Sequence, residues 1–222
     1  MNKRFISTTA VLLFTATAAL AQVSFGIRAG MNMQNINGKD ISGDPLELGM
    51  VPGINGGVVI SIPVATDFFL QPGLTFAQKG AKGEDFMGLP LGIEYKISYI
   101  EMPVSFVYKP LVGTGHFFIG FGPYISYGIG GKVKMTVGNT TSEYNVTFAG
   151  EYNDDTYDGF TYLKQMDYGG NLFFGYELPM GLSFQINTQL GLAEINPENL
   201  ASPDSKTSMK HTGFGITLGY NF

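Results

Sequence analysis

From residue 22 onward, apolar residues trade places with small or polar ones at every second position, in segments of about ten residues or more. A period of two marks a β-strand with two unlike faces. The last segment shows it most plainly. Between Lys210 and Phe222, Phe214, Ile216, Leu218, Tyr220 and Phe222 share one face, and Gly213, Gly215, Thr217, Gly219 and Asn221 the other. Seven more segments precede it: Val23–Met33, Val51–Pro63, Asp67–Gly80, Ile97–Tyr108, Phe117–Ile129, Asp167–Leu178 and Leu182–Leu192. The fourth has an irregularity. Ile100, Met102, Val104, Phe106 and Tyr108 oppose Glu101, Pro103 and Ser105, whereas Ile97 and Tyr99 upstream sit on the other parity. A β-bulge near Ser98 is expected to reconcile them.

Alternation alone does not say which face is inside. The polar face of a water-soluble barrel should be roughly a quarter to a third Lys, Arg, Glu and Asp. Here the polar positions are mainly Gly, Ser, Asn, Gln and Thr, and the charges deep in the strands are Arg28, Glu101 and Glu177. The apolar face is therefore the outer one, against lipid. Only a closed barrel allows strands to do this, because an open edge leaves backbone groups unpaired in hydrocarbon. The pattern predicts an all-β fold, an eight-stranded antiparallel transmembrane β-barrel. Connections at Val64–Thr66, Pro110–Gly115 and Pro179–Met180 are short, while those at Gln34–Met50, Ala81–Gly92, Gly130–Leu163 and Glu194–Met209 are long. Short turns at one end and long loops at the other characterise barrels whose long loops lie outside the cell. Eight strands then place both termini in the periplasm. Alternating pieces at Lys132–Val137 and Glu143–Phe148 predict that the fifth and sixth strands are prolonged as a hairpin above the membrane.

Composition sharpens this picture. Lys3 and Arg4, an apolar run from Ala10 to Leu20, and Ala19-Leu20-Ala21 form a secretion leader, so residues 1–21 read as a signal peptide and 22–222 as the barrel domain. Glycine, at 31 of 222 residues, is about twice its usual ~7 %. Eight strands enclose room only for side chains, and inward glycines make space for Phe69, Tyr124 and Phe173, giving a packed polar lumen. Cysteine is absent, which excludes disulfides, thiolate chemistry and a lipoprotein anchor. A net charge of −5 leaves no basic footprint for nucleic acid. Without Trp, Tyr and Phe must form the interfacial girdles.

Candidate chemistry is sparse. Arg28 and Glu101 both point inward, and an unpaired buried charge is costly, so an Arg28–Glu101 salt bridge is expected, with Glu177 as a second acceptor. Ser208, His211 and Glu194 fall near the ends of adjacent strands and contain the residue types of a lipid-hydrolysing triad, but parity turns His211 inward, away from lipid. Asp154–Gly159 resembles the start of a calcium loop, with Thr156 and Gln165 where the pattern requires other ligands, and reads as a solvated acidic loop. No catalytic residue, cofactor or metal is expected.

The segments FGIRAGMN, LQPGLTFAQKG, YIEMPVSFVYKP, GHFFIGFGPYISYGIGGK and GFGITLGYNF resemble the PorT-like, "porin family" outer-membrane barrels of Bacteroidota-type bacteria. Some members of that family are linked to protein secretion, and no catalytic residue resides in these motifs. The resemblance implies an outer-membrane protein in contact with lipid and lipopolysaccharide. The expected role is structural or interactive, with the 130–163 loop meeting an envelope partner. A narrow solute channel and an outer-leaflet lipid hydrolase are the alternatives.

Overall fold

Each of the eight alternating segments forms a strand, and several run well beyond their outward apolar residues. The computed structural model describes residues 23–40, 42–84, 92–152, 161–200 and 206–222. The expected leader and the Asp154–Gly159 stretch lie outside the described residues. The strands are β1 Ser24–Lys39, β2 Val51–Ala65, β3 Phe68–Gly83, β4 Gly92–Tyr108, β5 Gly115–Val137, β6 Met166–Glu177, β7 Leu182–Gly191 and β8 Ser208–Asn221. Every strand pairs antiparallel with its sequence neighbours, and β1 pairs with β8 from Gly26↔Asn221 to Lys39↔Ser208. That last pairing closes the ring, so the ladder has no open edge in the membrane.

The three short connections gather at the end where β1 begins and β8 finishes. Each contains one residue in the left-handed region: Asp67 at φ 62°, Gly113 at 68° and Gly181 at 87°. A tight reversal between antiparallel strands needs positive φ, which glycine adopts freely and Asp better than most other residues. The middle turn adds a small hairpin of its own, with Leu111–Val112 pairing back onto Gly115–His116.

Through the middle of the barrel the outer wall is apolar, with Phe25, Ile27, Met31, Ile54, Val58, Met102, Ile125, Leu172 and Ile216 all exposed. On β5 the outward apolar run from Phe117 to Ile129 covers roughly 30 Å of height at ~3.3 Å per residue and a tilt of about 40°, enough for a bilayer core. Aromatic residues cluster toward the short-turn end, where Phe68 packs on Phe106 and Tyr108, and Tyr220 on Phe222.

Beyond Met33, Phe76, Ile100, Ile129 and Phe214 the pattern inverts. Asn35, Gln78, Lys96, Lys132 and Lys210 now face out, while Ile36, Ala81, Tyr95, Ile97, Val133 and Met209 are buried within. With Leu163 and Ile195, and with Leu46, Leu48, Val146 and Phe148 packed against them, these residues fill the long-loop end of the barrel with an apolar plug. Here the expectation about Ser98 is corrected. The register does shift there, from Ser98↔Gly130 to Tyr99↔Gly128, but the extra residue is Ile129 on β5. Ile97 and Tyr99 stay inside at 0 % exposure. It is β5 that changes parity, which turns Val133 inward and Lys132 and Lys134 outward.

The Lys132–Val137 piece is the end of β5, and Thr140–Asn145 folds back along it from Lys132↔Asn145 to Val137↔Thr140. A hairpin is present, but its returning arm is Thr140–Asn145 rather than Glu143–Phe148, and it prolongs the fifth strand alone, not the fifth and sixth. Thr147–Phe148 then pairs in parallel with Tyr162–Leu163.

Candidate functional site: the charged interior

Three of the interior's charged groups were expected from parity, and three more accompany them. Lys79 on β3 is fully buried beneath the plug, its ammonium 2.9 Å from Glu101 Oε2 on β4 and 2.9 Å from Asp167 Oδ2 on β6. Glu101 Oε2 also accepts from Ser126 Oγ on β5 and Gln189 Nε2 on β7, each at 2.9 Å. Tyr124 Oη donates to Asp167 Oδ2 at 3.3 Å, and its ring lies 4.2 Å from the ammonium. One cation thus binds two carboxylates across a lumen too narrow to avoid the contact. In a low-dielectric interior, charged groups persist only when paired and hydrogen-bonded in this way. Five adjacent strands, β3 to β7, are tied together by side chains that also fill the bore.

The expected Arg28–Glu101 salt bridge does not form. Arg28 Nη2 donates to Gln71 Oε1 at 2.9 Å, and the guanidinium lies 5.7 Å from the centre of the Phe173 ring. Gln71 Nε2 in turn donates to Ser61 Oγ at 2.8 Å. Parity correctly turned both charges inward, but register puts Thr75 opposite Glu101 and leaves Lys79 two inward steps along β3, past Ala77. Lys79 continues the inward series of Thr75 and Ala77, and was overlooked because it sits at the end of the apolar run. Glu177 does not pair with Arg28 within ion-pair distance either. Its Oε1 lies 2.6 Å from Lys109 Nζ, and its Oε2 accepts from Asn221 Nδ2, which closes the short-turn mouth.

Between mouth and network, Phe118, Phe173 and Val107 form a small apolar layer with Phe69. The inward placement expected for Phe69, Tyr124 and Phe173 is what the structure has. A cavity of about 110 Å³ remains beside this layer, lined by Arg28, Asn32, Asn55, Glu101, Asn187 and Gln189, among others.

Ser208, His211 and Glu194 are not assembled as a triad. Ser208 Oγ donates to Glu194 Oε1 at 3.1 Å on the outside, whereas His211 is buried, with Nε2 3.2 Å from Tyr99 Oη. Alternation along β8 puts the serine and the histidine on opposite faces. Among the described residues no group of three or more His, Asp or Glu is arranged to hold a metal ion.

A closed antiparallel ring of eight strands with an apolar wall and a filled interior defines an integral outer-membrane β-barrel. Residues 16–196 match the family described as "Outer membrane protein beta-barrel domain", and the chain belongs to it. That family resides in the outer membrane. No curated protein matches the chain. Among solved structures it is similar to OprG from Pseudomonas aeruginosa (14 % identity, 90 % of this chain and 95 % of that chain, TM-score 0.44). It is also similar to Neisserial surface protein A (9 %, 90 % and 99 %, 0.43) and to the attachment invasion locus protein Ail of Yersinia pestis (12 %, 90 % and 99 %, 0.42).

Proposed function

We propose that this barrel is a structural and interaction protein of the outer membrane. In this reading its termini lie in the periplasm, and its long loops, chiefly residues 130–163, present a surface to an envelope partner. The observation that carries this reading is the apolar plug. Ile36, Ile97, Tyr99, Val133 and Ile195 are each at 0 % exposure across the long-loop end, above a bore already crossed by Lys79 and its two carboxylates. A solute path would have to break both, which weighs against the channel alternative. The split between Ser208 and His211 weighs against lipid hydrolysis. The hairpin supports an outward-facing role, because all six residues of Thr140–Asn145 are exposed. The resemblance to PorT-like proteins suggests the finer role, participation in protein secretion.

Two measurements test this. In planar bilayers the refolded protein should give no large steady conductance, and porin-sized openings would refute the plugged reading. In intact cells, a photo-crosslinker at Ser142 should capture one reproducible envelope protein, and deletion of the chain should leave secreted proteins inside the cell. Capture of lipid alone, with secretion unchanged, would remove both the partner and the secretory role.

A further inference from the structure

Just beyond the apolar belt, the outer wall carries a cleft of about 580 Å³ across β3, β4 and β5. Its two edges differ chemically. On the membrane side are Phe76 and Ile129; on the loop side are Lys96, Lys132 and Lys134, with Glu94 and Glu143 among them. The cleft exists because of the β5 bulge. Gly130 and Gly131 lie in its wall, and a Cβ on Gly130 would meet nothing within 4 Å. The same bulge turns Lys132 and Lys134 outward, and register sets Lys132 opposite Lys96, a cross-strand pairing of like charges that is unfavourable unless it is compensated. The carboxylates only partly answer them. Glu143 is shared between Lys132 and Lys134, the second at 3.9 Å, and Glu94 lies 3.0 Å from Lys96. All three lysines remain close to half exposed or more, at 49, 59 and 41 % for their side chains.

We propose that this cleft is a binding site for a phosphorylated glycolipid of the lipid A type, with a sugar phosphate on Lys96, Lys132 and Lys134 and the first acyl carbons against Phe76 and Ile129. Two features select this occupant. The cleft is continuous with the lipid-facing wall, so its ligand must have a membrane-embedded tail. Its three lysines line one cleft from two paired strands, which suits a phosphate held at the rim of a bulky sugar headgroup. The assignment rests on the reading that the long-loop end faces outward, since the outer leaflet is where such a lipid resides.

The test uses the refolded full-length barrel in detergent micelles, with native mass spectrometry reading retained lipid. The probes are bisphosphorylated lipid A, the same lipid after dephosphorylation, and phosphatidylglycerol. Lipid A should be retained at least about tenfold better than either comparison lipid, given the contribution of each Lys near an anionic lipid surface and its partial neutralisation here. The triple variant Lys96→Gln/Lys132→Gln/Lys134→Gln should lose that preference while remaining heat-modifiable on gels. Gly130→Leu, which fills the cleft and keeps the charges, should weaken retention as well. Equal retention of dephosphorylated lipid A or of phosphatidylglycerol overturns the proposal, as does unchanged binding in both variants. Gly138→Cys at the hairpin tip, labelled on intact cells by a membrane-impermeant maleimide, reports orientation separately. Labelling without lipid preference overturns the site alone. Lipid preference without labelling overturns the orientation and, with it, the outer-leaflet assignment.

Discussion

The two halves of the interior are built from opposite materials. From the short-turn mouth to Lys79, around the small layer of Val107, Phe118 and Phe173, the barrel holds Arg28, Gln71, Asn32, Gln185, Glu101 and Asp167. From Tyr99 outward it holds Ile97, Tyr95, Ile93, Val133 and Ile195. The same strands make both halves, so neither strand geometry nor propensity explains the difference. The surroundings do. Where the wall meets lipid, apolar side chains are best placed outside and polar ones must find partners within; where the wall meets water, the usual preference of soluble proteins returns and the apolar side chains move in. On β4 the exchange happens between Tyr99 and Ile100 with no change of parity. On β5 the sequence keeps apolar residues on odd positions throughout, and only the bulge at Ile129 and Gly130 lets Val133 point inward.

The largest expected effect breaks the polar half. Lys79→Met leaves Glu101 and Asp167 facing each other without their cation, and should lower the denaturant midpoint by an amount equivalent to about 3–5 kcal/mol. Adding Glu101→Gln and Asp167→Asn should recover most of that loss, whereas a triple variant as unstable as Lys79→Met would mean that the charges are not energetically joined. A comparison of the two halves comes next. Ile97→Ala, inside the plug, should cost about 2–4 kcal/mol through the cavity it leaves, while Met102→Ala, on the lipid face, should cost about 1 kcal/mol or less. Equal costs in refolding titrations would remove the distinction between plug and wall.

A smaller effect sharpens the lower half. Because Arg28 meets Gln71 rather than Glu101, the cycle of Arg28→Met with Glu101→Leu should be additive within about 0.5 kcal/mol. A clear coupling term would restore the direct pair. The smallest effect lies in water, on the hairpin. The hydrogen bond from Lys132 holds the Glu143 carboxyl below its ordinary value. A depressed carboxylate contributes stability above its unfolded pKa and loses it as pH falls through the folded one. Hairpin amide shifts followed by NMR should therefore show the Glu143 transition at lower pH than an ordinary Glu carboxyl, and Lys132→Gln should move that transition upward. An identical titration in wild type and variant would count against the bond.

How much of this was legible in the sequence divides along the same line. Period-two alternation and uncharged polar faces were enough to place eight strands, the lipid face and the inward turn of Arg28, Tyr124, Phe173 and His211. Partnerships were not legible, because parity gives a direction and says nothing of height around a tilted barrel. Lys79, two residues beyond Ala77 on the same face, was readable in principle. It was missed because a lysine at the end of an apolar run resembles the start of a loop. Ile97 and Tyr99 misled for a related reason. A rule that apolar means outward holds only as far as the lipid does, and the sequence does not mark where the bilayer stops.

The seam between β1 and β8 has a consequence for how the molecule comes into being. Fourteen register pairs, from Gly26↔Asn221 to Lys39↔Ser208, join opposite ends of the sequence, and Phe222 N donates to Phe25 O at 2.8 Å beyond them. Contacts of such long sequence separation form late and slowly. Until they form, β1 presents an unpaired edge flanked by Phe25, Ile27 and Met31, a surface prone to pairing with other chains. The earliest strand to emerge is thus committed to the latest partner to arrive.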